Sequence, residues 1–159
     1  MVSTLEWIES TDLSTAIREG ALLYPIIGGV HLLAIALFGG MLVATDLRLL
    51  GWAMQRRRAS DVVQQLRAWK RAGFVLVVAS GLLLGWCEPL KLYRSPSFWI
   101  KMAVLVLVGV HALIFRNDVY QNAAGLDAGT APRAKLAAAL SLILWAGLVV
   151  SGRLIGFDA

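Results

Sequence analysis

One stretch of the sequence, residues 20–45, contains no charged side chain and a single histidine, His31. The hydrocarbon core of a bilayer is about 30 Å thick and an α-helix rises about 1.5 Å per residue, so about 20 residues are enough to cross it. Residues 20–45 are therefore predicted to form a membrane-spanning helix. Asp46 and Arg48 follow directly and mark the expected water boundary, and Gly51 is the expected end of the helix.

The composition agrees with a membrane protein, because 58% of the residues are hydrophobic and only 16% are charged. The net charge of +5 does not indicate nucleic-acid binding, since the basic residues cluster near the ends of apolar segments. Cys87 is the only cysteine, which excludes an intrachain disulfide and a CxxC metal motif.

Three further apolar segments are long enough to span a membrane, and they comprise residues 72–87, 95–115 and 136–152. Residues 4–19 alternate aliphatic and acidic side chains and include Trp7, which predicts a short amphipathic helix at the membrane interface. Ser10, Thr11, Asp12 or Ser14 is expected to cap it. The fold class predicted is an all-α bundle of four membrane helices, forming one domain over residues 1–159.

Small residues recur at four-residue spacing along three of the predicted helices, a pattern typical of close helix contacts in lipid. They are Ala36, Gly40 and Ala44 on the first helix, Gly81 and Gly85 on the second, and Gly147 and Ser151 on the fourth.

Basic residues predict the orientation of the bundle. The first connection has two acidic residues, Asp46 and Asp61, and seven basic ones: Arg48, Arg56, Arg57, Arg58, Arg67, Lys70 and Arg71. Connections this rich in Lys and Arg stay in the cytoplasm. The second connection has Lys91 and Arg94, and the third has Arg116, Arg133 and Lys135. We therefore expect the first and third connections in the cytoplasm and both termini in the periplasm.

Two histidines, His31 and His111, are the strongest candidates for chemistry because both lie inside apolar spans, where an ionisable group predicts a function. Neutral imidazole is a good iron ligand, and helical bundles hold haem by axial histidines on facing helices. Glycines that would leave room for a haem b ring are Gly28, Gly81 and Gly85. Basic residues that would bind its propionates are Arg48 and Lys101. Alternatively, each histidine only hydrogen-bonds across helices.

The spacing of the two histidines argues against one haem held by both. His31 precedes Asp46 by about 22 Å of helix, whereas His111 precedes Arg116 by about 8 Å. The two rings are thus expected at different depths. Helix tilt would absorb part of the gap. Separate sites, or a ligand from a second protomer in a homo-oligomer, are the alternatives.

Two other charged positions have open interpretations. Lys101 would contact an anionic headgroup or a haem propionate, or would extend back to the interface. Asp46 with Arg48 would form an ion pair or a solvated boundary. The sequence has no nucleotide-binding loop, catalytic triad or zinc motif.

Four segments have a recognisable pattern: WIEST near the N-terminus, YP followed by GGVHLL, DLRLLG, and the closing SLILWAGLVVSGRLIG. Together they resemble a family of small bacterial four-helix membrane proteins of unknown function, over nearly the whole chain. The resemblance implies the four-helix fold and a bacterial inner-membrane location. The architecture is more remotely similar to b-type membrane cytochromes and to copper-resistance D-like proteins.

The sequence leads to two hypotheses of function. The first is a haem b protein that passes electrons between a quinone and a redox partner, with His31 and His111 as iron ligands. The second is a non-redox accessory or transport protein in which the histidines serve packing or pass protons or metal ions.

Overall fold

The structure is a computed structural model that describes residues 2–115, 119 and 132–158; Arg116, used above for orientation and depth, lies outside them. Within these residues the fold is all α-helical. The helices are α1 (Val2–Glu9), α2 (Asp12–Glu19), α3 (Leu23–Leu50), α4 (Ala59–Cys87), α5 (Pro89–Arg94), α6 (Pro96–Phe115) and α7 (Pro132–Leu154), followed by a 3₁₀ turn (Ile155–Phe157).

Four of these helices, α3, α4, α6 and α7, are long and apolar enough to cross a membrane. Their outer faces expose large aliphatic side chains, including Leu32, Leu82 and Leu113 at 68%, 70% and 72%. Such an aliphatic surface is compatible with contact to lipid acyl chains. The helices confirm the predicted fold class, a four-helix membrane bundle with amphipathic N-terminal structure.

The helix α3 continues one turn beyond the predicted span, to Leu50. It ends at Gly51, whose φ of +82° is a left-handed conformation that favours glycine, and whose N–H bonds back to the carbonyls of Arg48 and Leu47. Asp46 consequently lies inside the helix, where it is only 1% exposed. The expectation of a solvated boundary at Asp46 is wrong, because the helix that contains it packs against α7.

The helix α4 begins at Ala59, well before the predicted span at residue 72. Lys and Arg have good helix propensity, and Asp61 in the first turn suits the positive end of the helix dipole. Lys70 is therefore a helical residue, and its ammonium donates to Oγ1 of Thr45 on α3 at 3.2 Å.

The four long helices pack in the order α4, α3, α7, α6, so that α3 contacts α4 and α7, and α6 contacts α7. Direct contact between α4 and α6 is marginal. The most buried apolar residues gather where α3 and α6 end and α4 and α7 begin; they are Leu49, Ala59, Val63, Phe115, Val119, Ala134, Ala137 and Ala138.

The N-terminal segment forms two short helices rather than the single one predicted. The helical conformation is interrupted at Ser10 and Thr11. Oγ1 of Thr11 caps α2 by accepting from the N–H of Ser14. The Ser14 hydroxyl donates to the carbonyl of Cys87 at 3.3 Å, and Nε1 of Trp86 donates to Thr11 Oγ1 at 3.1 Å. These bonds attach α2 to the end of α4.

The predicted small-residue contact on α3 is displaced by one residue. Gly40 is exposed, and a Cβ atom there would meet nothing within 4 Å. Gly39 is buried instead, and a Cβ atom there would collide with the indole of Trp145 on α7. On the other helices one residue of each predicted pair lies at a contact between long helices, since Gly81 lies against His31 and Gly147 lies against Val104.

Candidate functional site

His31 points from α3 towards α4. Its Nδ1 lies 2.8 Å from the hydroxyl of Ser80, which itself donates to the carbonyl of Leu76 at 2.6 Å. When the Ser80 hydroxyl donates to Leu76, its oxygen accepts from Nδ1 in the His31 tautomer that carries hydrogen on that nitrogen. Gly81 makes room for the ring, because a Cβ atom there would lie 3.1 Å from Cε1 of His31.

His111, near the end of α6, bonds to the backbone of α7. Its Nε2 lies 2.9 Å from the carbonyl oxygen of Ala137. A carbonyl only accepts hydrogen bonds, so Nε2 is the nitrogen that bears hydrogen. The ring also lies 4.9 Å from the ring of Phe115.

A small cavity lies beside His111, between α3, α6 and α7. Its volume is about 30 Å³, which is large enough for a water molecule. Its wall consists of Leu42, Val108, His111, Ser141, Leu144 and Trp145.

Ser141, which lines this cavity, also interacts with Asp46. The Ser141 hydroxyl interacts with the Asp46 carboxyl, and Lys70 interacts electrostatically with the same group. Its oxygen Oδ2 is fully buried and has no hydrogen-bond partner in the part of the chain that the structure describes. A buried carboxyl oxygen without a partner is costly, and at membrane depth such a group marks a functional site.

Asp46, Ser141 and His111 thus form one polar level of the bundle, which we call the acidic site. His31 lies on another level, since Leu42, which lines the cavity, is about 16 Å further along α3. Phe38 and Trp145 pack between the two levels, with ring centroids 5.5 Å apart.

The other predicted site residues lie apart from the acidic site. A Cβ atom at Gly28 would meet nothing within 4 Å, and one at Gly85 would meet Leu92 of α5 at 3.4 Å. Nε of Arg48 donates to the carbonyl of Arg57 at 2.8 Å, which ties α3 to the first connection. Lys101 of α6 lies along Gly152 of α7 and interacts electrostatically with His31.

No group of three or more His, Cys, Asp or Glu side chains suited to a metal ion occurs among residues 2–115, 119 and 132–158.

Sequence comparison adds the family. A profile described as "Family of unknown function (DUF6644)" matches residues 4–158. The chain belongs to this family. No curated protein and no solved structure shows significant similarity to it. For a DUF6644 chain, the geometry of the site is thus the main guide to function.

One haem held by both histidines does not fit, because the rings lie on levels about 16 Å apart along α3 with Trp145 packed between them. The cavity beside His111 has the volume of a water molecule rather than of a porphyrin. Haem on a single histidine stays a prediction.

Sequence reasoning missed the role of Asp46, the residue on which the acidic site depends. The available signal was the apolar stretch that continues past it, Leu47, Leu49 and Leu50, at helical spacing. That pattern allows α3 to continue to Leu50 and to bury Asp46 against α7.

Proposed function

We propose that this protein passes protons through the acidic site, which makes it a non-redox transport or accessory protein of the membrane. The observation that supports the proposal is the buried Oδ2 of Asp46, which lacks a partner beside a cavity that Ser141 and His111 line. Carboxyl and imidazole groups inside membrane helices are typical of proton relays.

The proton step uses groups that already lie close together. A proton leaves a carboxyl oxygen of Asp46 and a proton arrives on the imidazole of His111, through Ser141 or water in the cavity. The intermediary oxygen accepts one proton as it releases another, so it ends unchanged. Asp46 becomes a carboxylate and His111 an imidazolium, and the reverse transfer restores both. Lys70 stabilises the carboxylate form electrostatically.

Proton flux into liposomes tests this function. The purified full chain is reconstituted with a pH-sensitive dye inside, and a potassium gradient with valinomycin supplies the driving potential. We expect faster proton entry than in protein-free liposomes. Asp46→Asn keeps the shape of the side chain but cannot release a proton, so it should reduce entry to the protein-free rate. The matched control is Asp61→Asn, at the exposed start of α4, which should keep the wild-type rate.

Two results would contradict the proposal: wild-type flux equal to that of protein-free liposomes, or equal flux in the wild type and in Asp46→Asn. Retained helicity and a monodisperse elution profile show that each variant has folded. Ser141→Ala provides a further measurement, since removal of one hydroxyl from the relay should slow entry without abolishing it.

Haem-based electron transfer, with a quinone or a redox protein as partner, is the competing function and has a simple test. On our proposal the purified protein is colourless. A Soret band in the wild type that is lost or altered in His31→Ala or His111→Ala, in protein that still inserts, would replace the proton function by the haem function.

The proposed orientation places the acidic site at the cytoplasmic end of the bundle in a bacterial inner membrane. It is supported by Arg56, Arg57 and Arg58, which are exposed in the connection that follows α3. In a Cys87→Ala background, a cysteine at Arg57 should resist a membrane-impermeant reagent in intact cells, whereas a cysteine at exposed Lys91 should react. The opposite labelling pattern would invert the orientation.

A further inference from the structure

Lys101 lies at the end of the bundle opposite the acidic site. It follows the start of α6 at Pro96 by about 7 Å of helix, so it lies inside the predicted membrane zone. Its side chain runs along Gly152 of α7, where a Cβ atom would lie 3.7 Å from Nζ and 3.9 Å from Cε. The absence of a side chain at Gly152 therefore leaves the space that Lys101 fills.

The Lys101 ammonium has neither a hydrogen bond nor an ion pair with any residue in the described ranges. Three acidic groups near this end bond to residues other than Lys101. Glu88 accepts from the Tyr24 hydroxyl at 3.0 Å and lies 3.6 Å from Lys91, Glu9 pairs with Arg18 at 2.8 Å, and Asp158 accepts from Ser95 and Ser97. An ammonium at membrane depth requires an anion or access to water.

The surroundings of Lys101 indicate where an anion would come from. α4 packs on α3 and α6 packs on α7, whereas α4 and α6 make little or no direct contact. We call the space between α4 and α6 the α4–α6 cleft. His31 of α3 bonds to Ser80 of α4 and is near enough to Lys101 of α6 to interact with it electrostatically. Exposed aliphatic side chains on both helices, such as Leu83 and Leu105, suit an acyl chain.

We propose that Lys101 binds the phosphate of an anionic phospholipid, with one acyl chain of that lipid in the α4–α6 cleft. The positive charge of Lys101 matches the phosphodiester, and the flexible lysine stem reaches the interface from about one and a half turns inside α6. The polar ring of His31 lies at the inner end of this site. The lipid site is independent of the proton function, since it uses other residues at the other end of the bundle.

Lipid-dependent thermal stability tests this proposal on the full chain purified in a mild detergent. Added phosphatidylglycerol should raise the unfolding temperature of the wild type more than phosphatidylcholine does, and native mass spectrometry should show one retained phosphatidylglycerol. Lys101→Ala should weaken phosphatidylglycerol binding about five-fold, the usual effect of one basic residue near an anionic membrane surface. Lys91→Ala is the matched control and should bind like the wild type, because Lys91 is exposed and pairs with Glu88.

Several results would overturn the proposal. They are equal phosphatidylglycerol effects in the wild type and Lys101→Ala, an equal effect of phosphatidylcholine on the wild type, and an equal effect of inorganic phosphate alone, which would indicate a soluble anion. If Lys101→Ala does not fold, Lys101→Arg replaces it. That variant keeps the charge and should retain the preference for phosphatidylglycerol, and a loss of the preference in it would contradict the site.

Discussion

The two ends of the bundle bury different kinds of side chain. At the end where α3 stops, buried apolar residues such as Leu49 and Phe115 surround Asp46 and Thr45. At the opposite end the buried residues are chiefly serines: Ser14, Ser80, Ser95, Ser97 and Ser151. Serine hydroxyls can bond to their own helix backbone, as Ser80 and Ser151 do, so they need no partner from elsewhere. A buried carboxylate has no hydrogen to donate to the carbonyls of its own helix, so it depends on partners from elsewhere.

The two histidines follow the same division. His31 bonds to a side-chain hydroxyl, whose hydrogen already has an acceptor on its own helix. His111 bonds to the Ala137 carbonyl, which lies beside the cavity and belongs to the cluster of buried apolar residues. Interhelical bonds of this kind in membranes are worth about 0.6 kcal/mol on average, so their surroundings decide how much each residue matters. We expect substitutions at the His31 end to lower the stability less than substitutions at the His111 end do.

The largest effect is expected at the boundary between the two ends. Gly39→Ala places a methyl group in the Trp145 indole, which is rigid and packs against α3, so overpacking should cost about 1–3 kcal/mol. Gly40→Ala is the matched control, since a methyl group there meets nothing within 4 Å. Alanine also favours a helix over glycine by about 1 kcal/mol, which both variants gain. Thermal unfolding in detergent should therefore show a lower midpoint for Gly39→Ala than for Gly40→Ala.

Equal midpoints for the two glycine variants would show that Trp145 does not fill the space between the levels. Trp145 would then not be the physical boundary between the two ends of the bundle.

The second-largest effect is the difference in stability loss between substitutions of the two histidines. His111→Phe removes the side-chain donor of the Ala137 carbonyl, which keeps its own helix N–H as a partner. The change should cost about 1–2 kcal/mol, the upper range for an interhelical bond in a membrane, because the carbonyl lies next to a buried core. His31→Phe leaves Ser80 bonded to Leu76, so it should cost about 0.6 kcal/mol plus any strain against Gly81. Ser80→Ala removes the partner of His31 without changing the ring. Chemical denaturation in mixed micelles measures all three variants, and a larger loss for His31→Phe than for His111→Phe would reverse the comparison.

The sequence was a good guide to what depends on local pattern. Apolar length predicted the four long helices, Gly51 predicted the end of α3, and Thr11 was among the expected caps of the N-terminal segment. It was a poor guide where tertiary packing decides. Charge alone assigned Asp46 to the boundary, and four-residue spacing selected Gly40 rather than Gly39. Both errors arise because the face of α3 that meets α7 is set by Trp145 and Ser141, which lie about 100 residues later in the chain.

The break between α1 and α2 shows the same limit in a polar segment. Ser10 and Thr11 bond to the carbonyls of Trp7 and Ile8, and so end one helix before Thr11 starts the next. Several neighbouring residues have the same capping chemistry, so the residue types alone do not select the position. The contact with Cys87 and Trp86 of α4 selects it.

The smallest expected effect lies outside the membrane, at the serine-rich end. The carboxylate of Asp158 accepts from the Ser95 hydroxyl and from the N–H of Ser97 at 2.9 Å, which attaches the C-terminal turn to the start of α6. These bonds, first that of Ser95, hold the pKa of Asp158 below its ordinary value of 3.8. A group whose pKa is lowered by folding stabilises the folded state above its unfolded-state pKa, and that stabilisation is lost as the pH falls through the folded-state pKa.

The difference in unfolding midpoint between the wild type and Asp158→Asn should accordingly be constant above about pH 5, and should shrink below about pH 4. Because Asp158 is exposed, this difference should be smaller than the effects at Gly39 and His111. Ser95→Ala keeps the carboxylate but removes its main donor, so its midpoint should lie between those of the wild type and Asp158→Asn near neutral pH. A difference that instead grows on acidification would mean that protonated Asp158 is the form that the serines hold. The attachment of the C-terminal turn would then depend on a donor O–H at that position rather than on the carboxylate.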